Sequence, residues 1–339
     1  MSSGLKKIHR QAANRMRVPT LVAVVLVLAL CVLPIWIDGY TLNNYRDILL
    51  LGLFALSLDL FWGRTGILSF GHATFFGLGA YGMAITTIKL GLDPAWASLA
   101  GLAVGVLLAA VVALFVGYFI LYGGVRGAYF TIVTLALTMI ASHIAIGWSS
   151  MTGGDSGLIG VPPLSVLGYT FYDPVSSFYL ALGALTLCLF GSLWVMHGRF
   201  GLVLKAIQDD ETKARTLGYK TQWLLLKTFV VSAAMAGLAG ALYATGTGFV
   251  APDMIALLLS TEVIIWVAVG GSGSLVGAVI GTAIVWQLQV KISSISFAAW
   301  PIAIGVFFIL LVLVFPEGPV AFLARKLSKL RGSRKGEAQ

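Results

Sequence analysis

Ten apolar runs, each close to twenty residues long, constrain this chain more than any other feature of its sequence. They lie near 18–37, 44–62, 68–89, 95–121, 127–147, 177–197, 223–244, 256–270, 273–290 and 298–315. A helix needs about 20 apolar residues to cross a hydrocarbon core about 30 Å thick. In that medium every backbone polar group must be satisfied by the protein itself, which a helix achieves within one segment. The expected fold class is therefore all-α, a polytopic integral membrane protein with about ten transmembrane helices. Composition agrees: 10% of residues are charged, against roughly 25% in soluble domains. The 40 glycines suit helices that must approach closely without a hydrophobic force between them. Two runs stand apart. The third is rich in glycine and hydroxyl residues, and the eighth is short and carries Glu262; both are counted as spans, and a broken or re-entrant helix lining an enclosed cavity is the open alternative at either.

Lysine and arginine positions orient the spans. With ten spans and a cytoplasmic N-terminus, 19 of the 22 basic residues fall on the cytoplasmic side and only Arg46, Lys89 and Lys291 fall outside, as the positive-inside rule requires. The expected organisation is a basic cytoplasmic tail over 1–17, a transmembrane domain over 18–318 and a second basic cytoplasmic tail over 319–339. Within the domain, 198–223 forms a cytoplasmic loop and 148–176 an outer loop dense in glycine and proline, read as ordered turns on the membrane face. The net charge of +9 is thereby assigned to orientation in the lipid bilayer, and nucleic acid is not an expected partner. The run behind the basic N-terminus is too long for a typical signal-peptide core and is read as a retained first helix. Cys31 and Cys188 sit inside apolar runs and read as small buried hydrophobes. No metal site and no cofactor are expected.

The one long internal piece that must live in water is Gly198 to Lys227, which holds nine of the chain's 35 charged residues. Drawn as one helix it places Val203, Ala206, Ile207, Ala214 and Leu217 on one stripe, interrupted by Asp210. A buried carboxylate there is costly, so two short helices are expected, the second capped by Asp209 or Asp210 and ended by Gly218. Acidic Asp209, Asp210 and Glu211 balance Lys205, Lys213 and Arg215. That mixture suits a protein groove better than an anionic lipid surface, which attracts strongly basic helices. The segment GGSGSLVGAVIG is not a phosphate-binding loop, since no Gly-Lys-Ser/Thr follows and no strand precedes it. Any ATP energy must come from another chain, and no clustered ligands or nucleophile-base pair points to an enzyme.

The run GRFGLVLKAIQDDETKARTLGYK, followed by LLLKTFVVSAAMAGLAGALYA, resembles the coupling region and next span of the permeases of branched-chain amino acid ABC importers, the LivM-like members of the hydrophobic amino acid and amide uptake family. GILSFGHATFFGLGAYGMA (Gly66 to Ala84), VRGAYFTIVTLALTMI (Val125 to Ile140), STEVIIWVAVGGSGSLVGAVIG (Ser260 to Gly281) and the short MTGGDSGL are similar to further stretches of the same family. The likeness runs from about residue 44 to 318. It implies a bacterial inner-membrane permease subunit that pairs with a second, LivH-like permease, two cytoplasmic ATPase subunits and a periplasmic solute-binding protein. It also implies that Ala206, Ile207, Asp209, Asp210, Glu211, Lys213, Ala214, Arg215, Leu217 and Gly218 meet the ATPase. Branched-chain or other amino acids are the implied cargo, with urea or short amides next: EVIIWVAVGG is similar to the urea branch, TGGDSGL to the amino-acid branch.

A pathway for a small polar solute needs polar groups turned inward. The candidates are Ser69, His72, Thr74 and Tyr81 in the third run, Tyr129, Thr131 and Thr134 in the fifth, and Glu262 in the eighth. Each has a plainer reading. His72 beside glycines reads as a satisfied packing residue, the threonines as bonded to their own helix, Glu262 as paired at a helix break, and Asp59 as interfacial. Gly273, Gly277 and Gly281, four apart, read as a helix-packing stripe. The rival function is an ion- or proton-coupled secondary transporter, which would rely on Glu262 and His72 and leaves the charged loop without a role.

Overall fold

The computed structural model describes residues 20–90, 94–166 and 168–295, with positions 302, 305 and 306. The run near 298–315 and the two basic tails fall outside these stretches. The helices are α1 (Thr20–Ile35), α2 (Gly39–Thr65), α3 (His72–Ile88), α4 (Pro94–Tyr122), α5 (Ala128–Gly147), α6 (Ser149–Thr152), α7 (Pro174–His197), α8 (Arg199–Asp209), α9 (Glu211–Thr216), α10 (Thr221–Thr247), α11 (Leu257–Gly270) and α12 (Leu275–Ile295). Six of them, α2, α4, α5, α7, α10 and α12, are long and apolar enough to cross a membrane. The described residues thus form an all-helical, multi-span protein.

Helix α2 is the axis, buried along most of its length and packed against α7, α8, α10, α11 and α12. Asp38 starts it by accepting the Thr41 N–H, and Gly66 ends it in the left-handed conformation at φ 73°, where a Cβ would be strained. A second knot joins α3, α4 and α10. A Cβ on Gly79 would overlap the Gly237 carbonyl, and one on Gly240 the Phe76 carbonyl, so these backbones touch because glycine stands at each crossing.

The third and eighth runs are not simple spans. Residues 67–71 are non-helical and α3 begins only at His72. Helix α11 has 14 residues, about 21 Å at 1.5 Å per residue, too short to span. The glycine-rich segment between α5 and α7 folds into short helical and strand pieces. Its strand Leu158–Ile159 pairs with Phe249–Val250 just after α10, and Ser165–Val166 pairs with Tyr169–Thr170. The loop is therefore stitched to the α10–α11 connection rather than merely joining α5 to α7.

Candidate functional site

Two places gather the polar residues: the α8–α9 pair at one end of the bundle, and the start of α3 inside it. Helix α8 buries Leu204 and Ile207. Asp210 then leaves the helical region, accepts the Lys213 N–H at 3.0 Å and caps α9. The other end of α9 closes with Gly218 N–H donating to Arg215 O and Tyr219 N–H to Ala214 O, the six-to-one and five-to-two pattern of a Schellman motif with Gly218 at φ 88°. The break at Asp210 resets the rotation of α9 relative to α8. Consequently the single stripe expected from one continuous helix does not form: Ile207 and Ala214 face inward with Leu204, while Ala206 and Leu217 are exposed.

Glu211 does not face solvent as a docking charge. Arg126, in the α4–α5 connection, donates Nε and Nη2 to its two carboxylate oxygens at 2.9 and 3.1 Å, and its Nη1 to the carbonyls of Leu121 and Val125. Thr221, at the start of α10, donates its hydroxyl to the same carboxylate at 2.9 Å. Burial raises the Glu211 pKa, but the bonds from Arg126 and Thr221 and the charges of Arg126 and Arg215 outweigh it and hold the carboxyl below its ordinary value. Asp210 is likewise lowered, by the Lys213 backbone N–H first and its side chain second. The outward face that remains carries Leu202, Leu217 and Tyr219 among Ala206, Asp209, Lys213 and Arg215. Apolar side chains within a mixed-charge surface suit a protein partner.

Inside the bundle, α5 threonines satisfy the opened backbone before α3. Thr131 donates to Leu68 O at 3.0 Å, Thr134 Oγ accepts the Phe70 N–H at 3.2 Å and Thr138 donates to Phe70 O at 3.3 Å. Ser260, on the first turn of α11, accepts the Ala73 N–H at 3.2 Å. Irregular backbone at membrane depth persists only with such internal partners. Of the pathway candidates, Ser69, His72, Thr74, Thr131 and Thr134 come together here. His72 is buried, stacks on Phe54 and sits 2.9 Å from the Ser57 hydroxyl through Nε2. Thr74 meets Thr138 at 3.0 Å. The Ser69 hydroxyl and His72 Nδ1 have no partner among the described residues. Tyr81 lies buried farther along α3, Glu262 is buried on α11, and Tyr129 is 74% exposed, away from the cluster. Sequence reasoning passed over Thr138 and Ser260. Thr138 was detectable as the continuation of Thr131 and Thr134 at helical spacing, whereas Ser260 carried no such signal.

The glycine series divides by role. Gly277 and Gly281 sit where α12 crosses α11, so close that a Cβ on either would overlap backbone around Gly270. Gly273 precedes α12, in left-handed backbone at φ 85°, and packs on α2 at Gly63. Asp59 is fully buried among the helices and accepts the Gly273 N–H at 2.6 Å. A cavity of about 610 Å³ opens between α7 and α10, lined by Leu187, Cys188, Trp223 and Leu226; it is apolar and separate from the α3 cluster. No group of three metal-ligating side chains occurs among the described residues.

Comparison with known proteins agrees with this architecture. The family model described as branched-chain amino acid transport system / permease component matches residues 40–316. The chain is 28% identical over 305 residues to the high-affinity branched-chain amino acid transport system permease protein LivM of Escherichia coli (strain K12), covering 83% of this chain and 70% of the relative. It is 27% identical to LivH of the same organism, over 80% of this chain and 91% of the relative. It is 26% identical to the autoinducer 2 import system permease protein LsrC of Yersinia pestis (strain Pestoides F), over 65% and 62%. No solved structure matches. The chain is a multi-pass inner-membrane permease subunit that belongs to the family of branched-chain amino acid transport system permease components.

Proposed function

We propose that this chain forms one half of the translocation pathway of an ABC importer, with about ten spans and both termini cytoplasmic. Its partners in this reading are a second, LivH-like permease, two cytoplasmic ATPase subunits and a periplasmic solute-binding protein. The observation that carries the reading is the α8–α9 pair: two short helices clamped to the bundle by the Arg126–Glu211 pair, with an outward face of Leu202, Leu217 and Tyr219 beside Asp209 and Arg215. A transporter driven from within the membrane needs no such appendage. An importer driven by a separate ATPase needs a surface that receives the motor's motion and a rigid tie that passes it on. The cargo in this reading is a branched-chain or other small amino acid, because relatives that overlap 80% or more of this chain are named for branched-chain amino acid transport. Alternating access then opens the region around the broken start of α3 to one side and then the other.

The test is leucine accumulation in proteoliposomes. The chain co-reconstituted with its second permease, ATPase subunits and binding protein should accumulate leucine only with ATP. Asp209→Lys, which alters an exposed charge and no internal bond, should weaken ATPase co-purification without disturbing the helices. Accumulation by the chain alone under an imposed proton gradient would overturn the proposal in favour of a secondary transporter, and Glu262→Gln would then be the variant that abolishes it.

A further inference from the structure

We infer that Asp59 is a positioning residue: it locks the α11–α12 turn to α2 at the point where α8 also bears on α2, so that displacement of the coupling helices moves the short helix α11. Three elements meet over the last two turns of α2. The Gln208 amide, in the last turn of α8, donates to Gly63 O at 3.5 Å, and its Cγ lies 3.5 Å from where a Cβ on Gly66 would stand. Asp59, four residues before Gly63 and so on the same face, holds the Gly273 N–H at 2.6 Å. A Cβ on Gly63 would overlap both that carboxylate oxygen and the Gly273 nitrogen, so turn and helix touch backbone to backbone.

A carboxylate is an expensive way to accept one hydrogen bond in a dry interior. Asp59 is nonetheless fully buried, its second oxygen has no hydrogen-bond partner among the described residues, and the charge of Arg64 is the one that acts on it. Its bond to Gly273 is short, as charge-assisted bonds are. The turn it grips has a defined geometry: Gly271 and Gly273 occupy positive φ of 86° and 85°, Ser274 N–H donates to Gly271 O, and Ser274 Oγ caps α12 by accepting the Gly277 N–H at 3.2 Å. Beyond the turn, α11 leads to Ser260, whose hydroxyl receives the Ala73 N–H at the start of α3. A turn held at one end by Asp59 and joined through α11 to the broken helix is placed to carry motion between the two sites described above. The inference rests on the importer reading for what pushes α8, but the tie itself is independent of it.

Two readouts separate the tie from that reading. Hydrogen exchange of the purified chain in nanodiscs reports the tie directly. Asp59→Ala should raise exchange in peptides covering Gly273 about tenfold or more, the equivalent of one lost charge-assisted hydrogen bond, whereas Asp59→Asn, which keeps an acceptor oxygen, should restore much of the protection. In the full reconstituted transporter, the ATP hydrolysed per leucine accumulated should rise in Asp59→Ala, with ATPase co-purification unchanged. Gly63→Ala, whose methyl wedges into the same contact between Asp59 and Gly273, should do likewise even if Asp59→Ala fails to assemble. Unchanged exchange at Gly273 in Asp59→Ala overturns the tie, and unchanged coupling in an assembled Gly63→Ala transporter overturns its role in transmission. Failure of the wild-type chain to co-purify with any ATPase would instead count against the importer reading.

Discussion

Removing the Arg126 guanidinium should release α9 from the bundle. Arg126→Ala deletes two hydrogen bonds to Glu211 and two to the carbonyls of Leu121, in the last turn of α4, and Val125, in the connection that follows, and leaves the carboxylate with Thr221 and the more distant Arg215, 3.6 Å away. Exposed ion pairs are worth about 0.2–1 kcal/mol, and removing one member of a buried pair costs about 3–5 kcal/mol. With the two side chains 24% and 25% exposed, the cost falls between these limits, at about 2 kcal/mol. At 1.36 kcal/mol per tenfold, that is about a 30-fold rise in the undocked population of α9. Hydrogen exchange of the chain in nanodiscs measures it: amides of Thr212 to Thr216 should lose about 30-fold protection, while the centres of α7 and α10 stay as they were. Adding Glu211→Gln should cost little more, because its partner is already gone. A loss below about threefold, or equal losses in α9 and the central helices, would refute the argument that this pair is a local clamp.

The same clamp has a pH signature. Glu211 is held below its ordinary value of 4.5, so its contribution is fully present above that value and lost as pH falls through its lowered native pKa; α9 protection should be flat above pH 4.5 and fall below it, and Glu211→Gln should flatten that acid limb. At the α3–α10 crossing, Gly79→Ala drives a methyl into the Gly237 carbonyl and should cost about 1–3 kcal/mol, read as a lower melting temperature in detergent. Gly183→Ala, with open space around it, should leave the melt unchanged.

The break at Asp210 was legible because capping is local: the donor lies three residues on, and the cost of burying that carboxylate in a continuous stripe can be reckoned from the segment alone. The weakness of the third and eighth runs was legible for a similar reason, as glycine content, length and a single Glu262 are properties of neighbouring residues. The bond that Asp59 makes was not legible, because nothing near it in the chain explains it. Its partner Gly273 lies 214 residues away.

What the sequence by itself determined is the material and its periodicity: apolar runs that only a bilayer can receive, glycines that let backbones meet, a charged loop split into two capped helices, and motifs sufficient to indicate the permease family. Hydropathy, capping and motif order all act over a few residues, so they can be read without a fold. The tertiary structure alone decided which polar groups belong together. Glu211 passes from docking charge to clamp because Arg126 lies 85 residues upstream, Ser260 becomes the support of the α3 start across 187 residues, and Asp59 becomes a tie. A buried polar group is defined by the partner that offsets its lost hydration, and in this chain those partners come from other helices.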